Sequence, residues 1–266
     1  METSQNPYRE YLDFAVRMAW QAGAIHLSYF RSRDLEMHTK SNVYDVVTRA
    51  DRESEACIAR MIAARYPSHA LLGEEEGARG AAQSDYRWVV DPLDGTTNYS
   101  QGLPVFAVSI ALQHCGRTVA GVVYAPYLDE LFTAVRGGGA FLSVRGAAAQ
   151  RLHVSDKSAL AESVIATGFP YDKDVDPDNN SANVARILPH VRDLRRMGSA
   201  AYDLACVASG MLDGFWELAL HEWDVCAASL IVEEAGGEVR PLRPDRGVSV
   251  VAGNAAILGE MLHYVR

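Results

Sequence analysis

The chain has 266 residues, 48% of them hydrophobic and 22% charged, a balance typical of folded globular proteins and not of disordered ones. Its formal net charge of −9 and its pI of about 5.4 argue against a surface built to bind nucleic acid. Four scattered cysteines, without a C-x-x-C pair or a spaced Cys/His set, argue against a zinc site and favour the reducing cytoplasm.

The N-terminal half begins with two predicted helices. The segment METSQNPYREYLDF lacks the basic and apolar regions of a secretory signal, and no apolar run approaches the ~20 residues of a membrane span. Apolar residues at helical spacing predict an amphipathic helix over 6–31 and a second helix from Thr48 to Tyr66. Thr48 can cap the second helix, with Asp51 at its N3 position. From Arg87 onward, short β-rich runs broken by Gly and Pro predict an antiparallel meander.

Strands and helices alternate in the C-terminal half. The runs SVIATGF, DLRRM and LDGFWEL predict strands, and NNSANVARILPHV, AAYDLACVAS and WDVCAASLIVEEAG predict the helices between and after them. No Pro-, Gly- or Ser-rich linker divides the chain, so we expect one domain over 1–266, with halves of about 1–150 and 151–266. The predicted fold class is α/β (α+β), with an antiparallel sheet in the first half and a mixed sheet with helices in the second.

Asp91 and Asp94 follow an apolar strand in the segment WVVDPLDGTTNYSQG. Pro92 favours extended backbone at Asp91, which predicts that Asp91 ends the strand and that Asp94 lies beyond a turn. Two carboxylates this close stay ionised only beside a cation. The next four residues, GTTN, resemble the start of a short helix, whose free N–H groups suit a phosphate. The segment thus indicates metal-assisted phosphate chemistry, with an ordinary Asp-Gly-Thr turn as the alternative.

Other acidic residues each have an ordinary structural interpretation when taken alone. The glutamates of LLGEEEG suit a solvated loop, Asp224 suits the first turn of a helix, and Asp51 suits a cap. The motif DPLDGT is one residue longer than the Asp-x-Asp-Gly-Thr of haloacid-dehalogenase-type phosphatases, which excludes that class. The chain also lacks the G-x-x-x-x-G-K-[ST] loop of P-loop NTPases.

Taken together, these segments resemble the inositol monophosphatase family of metal-dependent, lithium-sensitive phosphatases over essentially the whole chain. WVVDPLDGTTNY resembles the first family signature and WDVCAASLIVEEAGG the second, with DVVTRAD, GEE and GSAAYDLACVASGMLDGFWE in the expected order. The resemblance implies a layered α-β-α-β-α sandwich and a homodimer. It also implies a site for two to three Mg²⁺ ions, inhibition by Li⁺, and a small phosphorylated substrate, with no membrane or direct nucleic-acid partner.

The resemblance also implies roles for individual residues. The metal ligands would be four carboxylates and one backbone carbonyl: Glu74, Asp91, Asp94, Asp224 and Leu93. The substrate contacts would be Asp94, Gly95, Thr96, Ser199, Ala200, Glu217 and Asp224. Thr96, oriented by Asp51, would help to activate the attacking water, and Glu74 would help to hold a third, weaker ion. Lys40 and Asp45 look like part of a metal-responsive flap.

The implied reaction is direct in-line attack of water on inositol monophosphate, favoured because Glu217 resembles the family's ligand for inositol hydroxyls. Histidinol phosphate, fructose 1,6-bisphosphate, NADP and adenosine 3′,5′-bisphosphate are the alternatives within the family. Arg192, Arg195 and Arg196 either steer an anionic second group or lie on a solvated strand edge. A protein-binding role in transcription or ribosome assembly also stays open. The hairpin over 143–150 departs from the family pattern without changing a predicted ligand.

Overall fold

The structure is a computed structural model that describes residues 6–32 and 35–266. Residues 1–5, part of the segment tested for a secretory signal, lie outside the described residues. No helix in the described ranges combines the length and the apolar character needed to cross a bilayer. The α-helices in these ranges are α1 (Arg9–Tyr29), α2 (Arg49–Arg65), α3 (Thr96–Ser100), α4 (Ser181–Ile187), α5 (Ala200–Ala208), α6 (Glu222–Glu234) and α7 (Ala255–Met261).

The strands fall into one short hairpin and two larger sheets. The hairpin consists of β1 (His38–Thr39) and β2 (Val46–Val47). The first large sheet consists of β3 (Ala70–Gly73), β4 (Gly77–Gly80), β5 (Tyr86–Asp94), β6 (Ala107–His114), β7 (Arg117–Ala125), β8 (Glu130–Val135), β9 (Gly139–Val144) and β10 (Gln150–Arg151). The second consists of β11 (Val164–Thr167), β12 (Asp193–Arg195), β13 (Gly214–Leu220), β14 (Glu238–Arg243) and β15 (Val248–Gly253).

The two large sheets have the predicted character. The eight-stranded sheet has the order β10-β9-β8-β7-β6-β5-β3-β4 and is antiparallel except for the parallel pair β3–β5. The five-stranded sheet has the order β12-β11-β13-β15-β14 and is mixed, because β11 runs parallel to both of its neighbours. The prediction of an antiparallel first half and a mixed second half is therefore confirmed, apart from the single parallel pair.

Helices cover both faces of both sheets, because alternate strand residues face opposite sides. In β5, Trp88 packs among α1 and α2, whereas Val89 packs in the cluster that contains α5 and α6. In β13, Phe215 packs in that same middle cluster, and Trp216 packs against α4 and α7. Each such side chain, when fully buried, contributes about 1.5–3 kcal/mol. The result is the expected α-β-α-β-α order of layers, with α5 and α6 between the sheets.

Strand β5 contradicts one detail of the prediction. Asp91 does not end the strand, because the chain rejoins the ladder at Asp94, which pairs with Ala107 after a shift in register. Pro92 has no N–H to donate, so the ladder is interrupted there and resumes beyond it, as at a β-bulge. The irregularity aims both aspartates at the same end of the sheet.

Candidate active site

A cavity of about 210 Å³ opens where β5 ends and where the helices α3, α5 and α6 begin. Three helix N-termini therefore point toward one space, and their partial positive charges favour an anion there. The structure brings to this wall every predicted metal and substrate residue: Glu74, Asp91, Leu93, Asp94, Gly95, Thr96, Ser199, Ala200, Glu217 and Asp224. Asp51 is the predicted site residue that does not line the cavity, and it lies behind Thr96.

Buried carboxylates dominate one side of the cavity. Glu74 lies close enough to Asp91, and Asp224 close enough to Asp94, for the charge of the first carboxylate to oppose ionisation of the second. Burial, followed by the charge of Glu74, raises the pKa of Asp91 well above its ordinary value. Burial, followed by the charge of Asp224, raises the pKa of Asp94 to about 7. Carboxylates with this much mutual repulsion require a positive charge among them to stay ionised together.

Asp91 and Asp94 are each fixed through one oxygen. The backbone N–H of Leu93 donates to Oδ1 of Asp91 at 2.9 Å. Oδ2 of Asp94 accepts from the Ser199 hydroxyl at 2.6 Å and from the Ala201 N–H at 2.7 Å. These contacts hold the first turn of α5 against the end of β5. Sequence reasoning missed the Ala201 N–H, since a backbone donor leaves no mark in the sequence.

Lys40 supplies a positive charge at this side of the cavity. Its Nζ lies 2.7 Å from Oε1 of Glu74 and 2.6 Å from Oε1 of Glu75. Burial opposes the ammonium charge, but the two glutamates outweigh it and raise the pKa of Lys40. Lys40 comes from the β1–β2 hairpin, the predicted flap, which also brings Asp45 to the cavity wall.

The oxygen atoms that line this part of the cavity are of the chemical type that binds a hard divalent cation. Four carboxylates and the carbonyl of Leu93 are oxygen ligands of the type that Mg²⁺ and Ca²⁺ prefer. Within 6–32 and 35–266, no three Asp, Glu, His or Cys side chains are arranged as they stand to hold an ion. In this structure the Lys40 ammonium supplies positive charge to Glu74, and the group of four carboxylates with one neighbouring ammonium fits Mg²⁺.

Thr96 and Asp51 connect the cavity to the start of α2. The Thr96 hydroxyl lies 2.8 Å from Oδ1 of Asp51 and 3.0 Å from the carbonyl oxygen of Leu93. Oδ2 of Asp51 accepts from the backbone N–H of Thr48 at 2.8 Å and from its hydroxyl at 2.5 Å. The predicted interaction between Asp51 and the cap residue of α2 is confirmed, and the same carboxylate orients Thr96.

Glu217, Asp203 and Arg196 also line the cavity. Burial raises the pKa of Glu217 to about 8, and the Arg196 guanidinium opposes that rise. A side chain at Gly168 would collide with Glu217, since a Cβ there would lie 1.9 Å from Oε1. Sequence reasoning missed Gly168 and Asp203, although Asp203 follows Ser199 by four residues and so shares its face of α5.

Of the three predicted arginines, Arg196 lines the cavity and the other two do not. Arg192 and Arg195 are exposed, and Arg195 pairs with Asp193 at 2.6 Å on the edge strand β12. The solvated-edge interpretation therefore holds for these two. The hairpin over 143–150 is likewise absent from the cavity wall.

Two loops meet across the mouth of the cavity. One is the turn between β1 and β2, and the other is the loop over 168–179 that follows β11. The Asn42 side-chain amide donates to the carbonyl oxygen of Tyr171 at 3.2 Å. The ammonium of Lys173 lies 4.1 Å from the centre of the Tyr44 ring, a cation–π contact. The cavity is thus walled by parts of the chain that are distant in sequence.

Comparisons with known proteins agree on one family. A sequence model of the inositol monophosphatase family matches residues 8–262. The Nus factor SuhB of Pasteurella multocida (strain Pm70) is 44% identical over 228 residues, covering 86% of this chain and 84% of that protein. The inositol-1-monophosphatase of Mesorhizobium japonicum is 40% identical over 260 residues, covering 96% of each. The solved structure of inositol monophosphatase from Anabaena (Nostoc) sp. PCC 7120 has a TM-score of 0.84 at 37% identity over 97% of each chain.

Proposed function

The chain belongs to the inositol monophosphatase family, and from this premise we propose that it hydrolyses a small phosphate monoester in the presence of Mg²⁺. Inositol monophosphate is the proposed substrate. The observation that carries the proposal is the convergence of Glu74, Asp91, Asp94 and Asp224 with the start of α3 on one cavity. Acidic ligands beside free backbone N–H groups suit a metal ion and a phosphate together.

Glu74, Asp91 and the Leu93 carbonyl would hold one Mg²⁺, and Asp91, Asp94 and Asp224 a second. Bound there, the ions would supply positive charge to polarise the phosphate and lower the pKa of water, the property by which such metals assist hydrolysis. Inhibition by Li⁺ is part of the same proposal.

The chain's own residues would orient the reactants. The Thr96 hydroxyl, donating its hydrogen bond to Asp51, keeps a lone pair that can accept a hydrogen bond from the attacking water and so orient it. The backbone N–H groups of Gly95 and Thr96 would hold the phosphate oxygens. Gly95 adopts a left-handed φ of 97°, which favours glycine at the turn into α3. No cysteine or serine nucleophile is required.

The leaving-group side holds two carboxyl groups and one guanidinium, a set that suits the hydroxyls of inositol monophosphate better than a second phosphate. Glu217 and Asp203 both face this side, and Arg196 is the cation that interacts with each of them. A second phosphate of fructose 1,6-bisphosphate, NADP or adenosine 3′,5′-bisphosphate would meet two carboxyl groups there. A neutral polyol can donate to both carboxyl groups and accept from the guanidinium. Histidinol phosphate, with its ammonium, is the remaining alternative.

Phosphate release from the five substrates, with Mg²⁺, with chelator and with added Li⁺, tests the proposal. We expect inositol 1-phosphate to have the highest kcat/KM, chelator to abolish release, and Asp91→Asn or Asp94→Asn to reduce it to background. Asp193→Asn, which removes the same charge from an exposed edge strand, is the matched control and should retain full activity. Full activity in excess chelator, or in either cavity variant, would contradict the mechanism.

A second candidate function rests on the printed name of a relative. The protein of Pasteurella multocida that is 44% identical is named a Nus factor, so a protein-binding role in transcription is also proposed. Complementation separates the two candidates: a strain that lacks the gene receives either the wild type or the Asp94→Asn variant. Rescue by the inactive variant would support the binding role, and rescue by the wild type alone would support catalysis.

The family also suggests a homodimer and a cytoplasmic location. Light scattering after gel filtration should then give twice the chain mass of 29.0 kDa. Cell fractionation should recover the protein with the cytoplasmic fraction.

A further inference from the structure

Asp203 is a buried carboxyl in the cavity wall that the mechanism above does not use. It lies on α5, one turn beyond Ser199, and its residue is 1% exposed. Its Oδ1 is enclosed and has no hydrogen-bond partner, and among the described residues its side chain makes no hydrogen bond at all. The charged groups that act on it are Glu217, Asp94 and Arg196, all of which also line the cavity.

A second buried aspartate shows what a structural role looks like in this chain. Asp213 is 2% exposed and also has an unpaired Oδ1. Its Oδ2, however, accepts from the Val164 N–H at 2.7 Å and from the Lys157 ammonium at 2.8 Å. Asp213 therefore links β11 to the start of β13 through hydrogen bonds, whereas Asp203 links no two elements in this way in the described part of the chain.

An enclosed carboxyl without a partner lowers the stability of the folded protein. Buried polar groups in native proteins normally have partners, and exceptions are concentrated at sites that serve a ligand. Asp203 lines the cavity together with Glu217 and Arg196, and the charges of Glu217, Arg196 and the metal-side Asp94 all act on it. A ligand that donates hydrogen bonds would provide the partner that the protein itself omits.

We propose that Asp203 is a specificity-determining residue that, together with Glu217, accepts hydrogen bonds from the hydroxyls of the polyol leaving group. This inference rests on the proposed phosphatase function. Arg196 completes the set as a donor, so that vicinal hydroxyls of a polyol meet both acceptors and a donor. The arrangement disfavours a second phosphate, which would lie against the two carboxyl groups.

The test compares two substrates that differ in their leaving groups. Inositol 1-phosphate presents hydroxyls, and 4-nitrophenyl phosphate presents none. The ratio of the two kcat/KM values should fall roughly 3- to 10-fold in Asp203→Leu, the effect of losing one hydrogen bond to a buried carboxyl. Asp203→Asn keeps an acceptor oxygen and should restore part of the ratio. The Tm of Asp203→Leu should equal or exceed that of the wild type, because an unpartnered buried carboxyl has been removed.

Asp213→Leu is the matched control. It should lower the Tm, since it breaks contacts to Val164 and Lys157, and it should leave the substrate ratio unchanged. An unchanged ratio in Asp203→Leu, or a parallel loss on both substrates, would overturn the inference. A selective loss on histidinol phosphate would also overturn it, by identifying an ammonium as the recognised group. Absence of phosphate release by the wild type from every substrate would instead contradict the proposed function.

Discussion

At the scale of single residues, Glu217 couples the cavity to the pH of the solution. Its carboxyl is buried, and its pKa is raised from 4.5 to about 8, chiefly by burial, against the opposing charge of Arg196. The folded protein therefore retains a proton at pH values where the unfolded chain has released it. By linkage, the stability that this group contributes is complete below about pH 4.5 and is lost as the pH rises toward 8.

Glu217→Gln should flatten that part of the pH profile, because glutamine resembles the protonated acid at every pH. Thermal melts in chelator should give equal Tm values for variant and wild type at about pH 5, and a higher Tm for the variant at about pH 9. Glu162→Gln, on an exposed turn before β11, is the control and should melt in parallel with the wild type. A variant that is less stable than the wild type at high pH would refute the assignment.

At the scale of elements, the start of α2 is part of the site. Asp51 accepts two hydrogen bonds from Thr48, the cap residue, and it is 0% exposed. Its other oxygen meets the hydroxyl of Thr96 at the first turn of α3. A change at the cap of one helix is therefore transmitted to Thr96, the residue that we propose orients the attacking water.

Thr48→Ala should lower the free energy of unfolding by about 1 kcal/mol, as expected for a lost cap. It should also lower kcat, because Asp51 loses a hydrogen bond that fixes it beneath Thr96. Asn254→Ala removes the cap of α7, where Oδ1 accepts from the Ile257 N–H at 2.9 Å. That helix packs beyond the five-stranded sheet, so this control should lose comparable or greater stability and no kcat. Urea melts should first show that both variants are folded under the assay conditions. Equal losses of kcat in the two variants would then contradict a specific connection between the cap of α2 and Thr96.

Several elements follow directly from the sequence. The apolar periodicity of α1 and the Thr-x-x-Asp pattern of α2 predicted both helices to within a few residues, because one face of each packs on the eight-stranded sheet. The predicted short helix after Gly95 is α3. Strands β3 and β4, the pair β14–β15 and helix α7 were not predicted. Strands β3 and β4 are four residues long, β14 carries two arginines and a proline, and α7 has seven residues, so each apolar pattern is too short or too interrupted to stand out.

The residues of the candidate site also fall into those that the sequence predicted and those that it did not. The carboxylates of the two signature segments were predicted because each lies in a short contiguous motif that also contains characteristic turn residues. Asp203, Gly168 and the Ala201 N–H could not be, because their roles depend on which loop or helix lies opposite. The parallel pairing of β3 with β5 also explains why Glu74 reaches Asp91: the turn after β3 opens at the same sheet edge.

At the scale of the whole molecule, the middle helical layer fixes the distance between the two halves of the site. Helix α6 lies directly on β7, where a Cβ at Gly121 would come within 2.7 Å of the carbonyl oxygen of Ala227. Asp224 lies on the same helix, one turn before Ala227. The separation of Asp224 from Asp91 and Asp94 therefore depends on this close backbone contact.

Gly121→Ala should force α6 away from the sheet and lower stability by about 1–3 kcal/mol, the usual effect of overpacking. Phosphate release should fall as well, because Asp224 moves with the helix. Gly259→Ala on α7, where no atom lies within 4 Å of the added Cβ, should be neutral or slightly stabilising. A melt that shows Gly121→Ala as stable as the wild type would argue against a tight contact.

The middle layer also determines when the cavity can exist. The eight-stranded sheet is synthesised first and carries Glu74, Asp91 and Asp94, whereas α5 and α6 arrive in the second half. Until they dock, the inner face of the sheet, with residues such as Val89 and Ala111, lacks its cover. Contacts of such long sequence separation form slowly, and an uncovered apolar sheet face is prone to aggregate. Nascent chains that stall before α6 are therefore the form of this protein most in need of a chaperone.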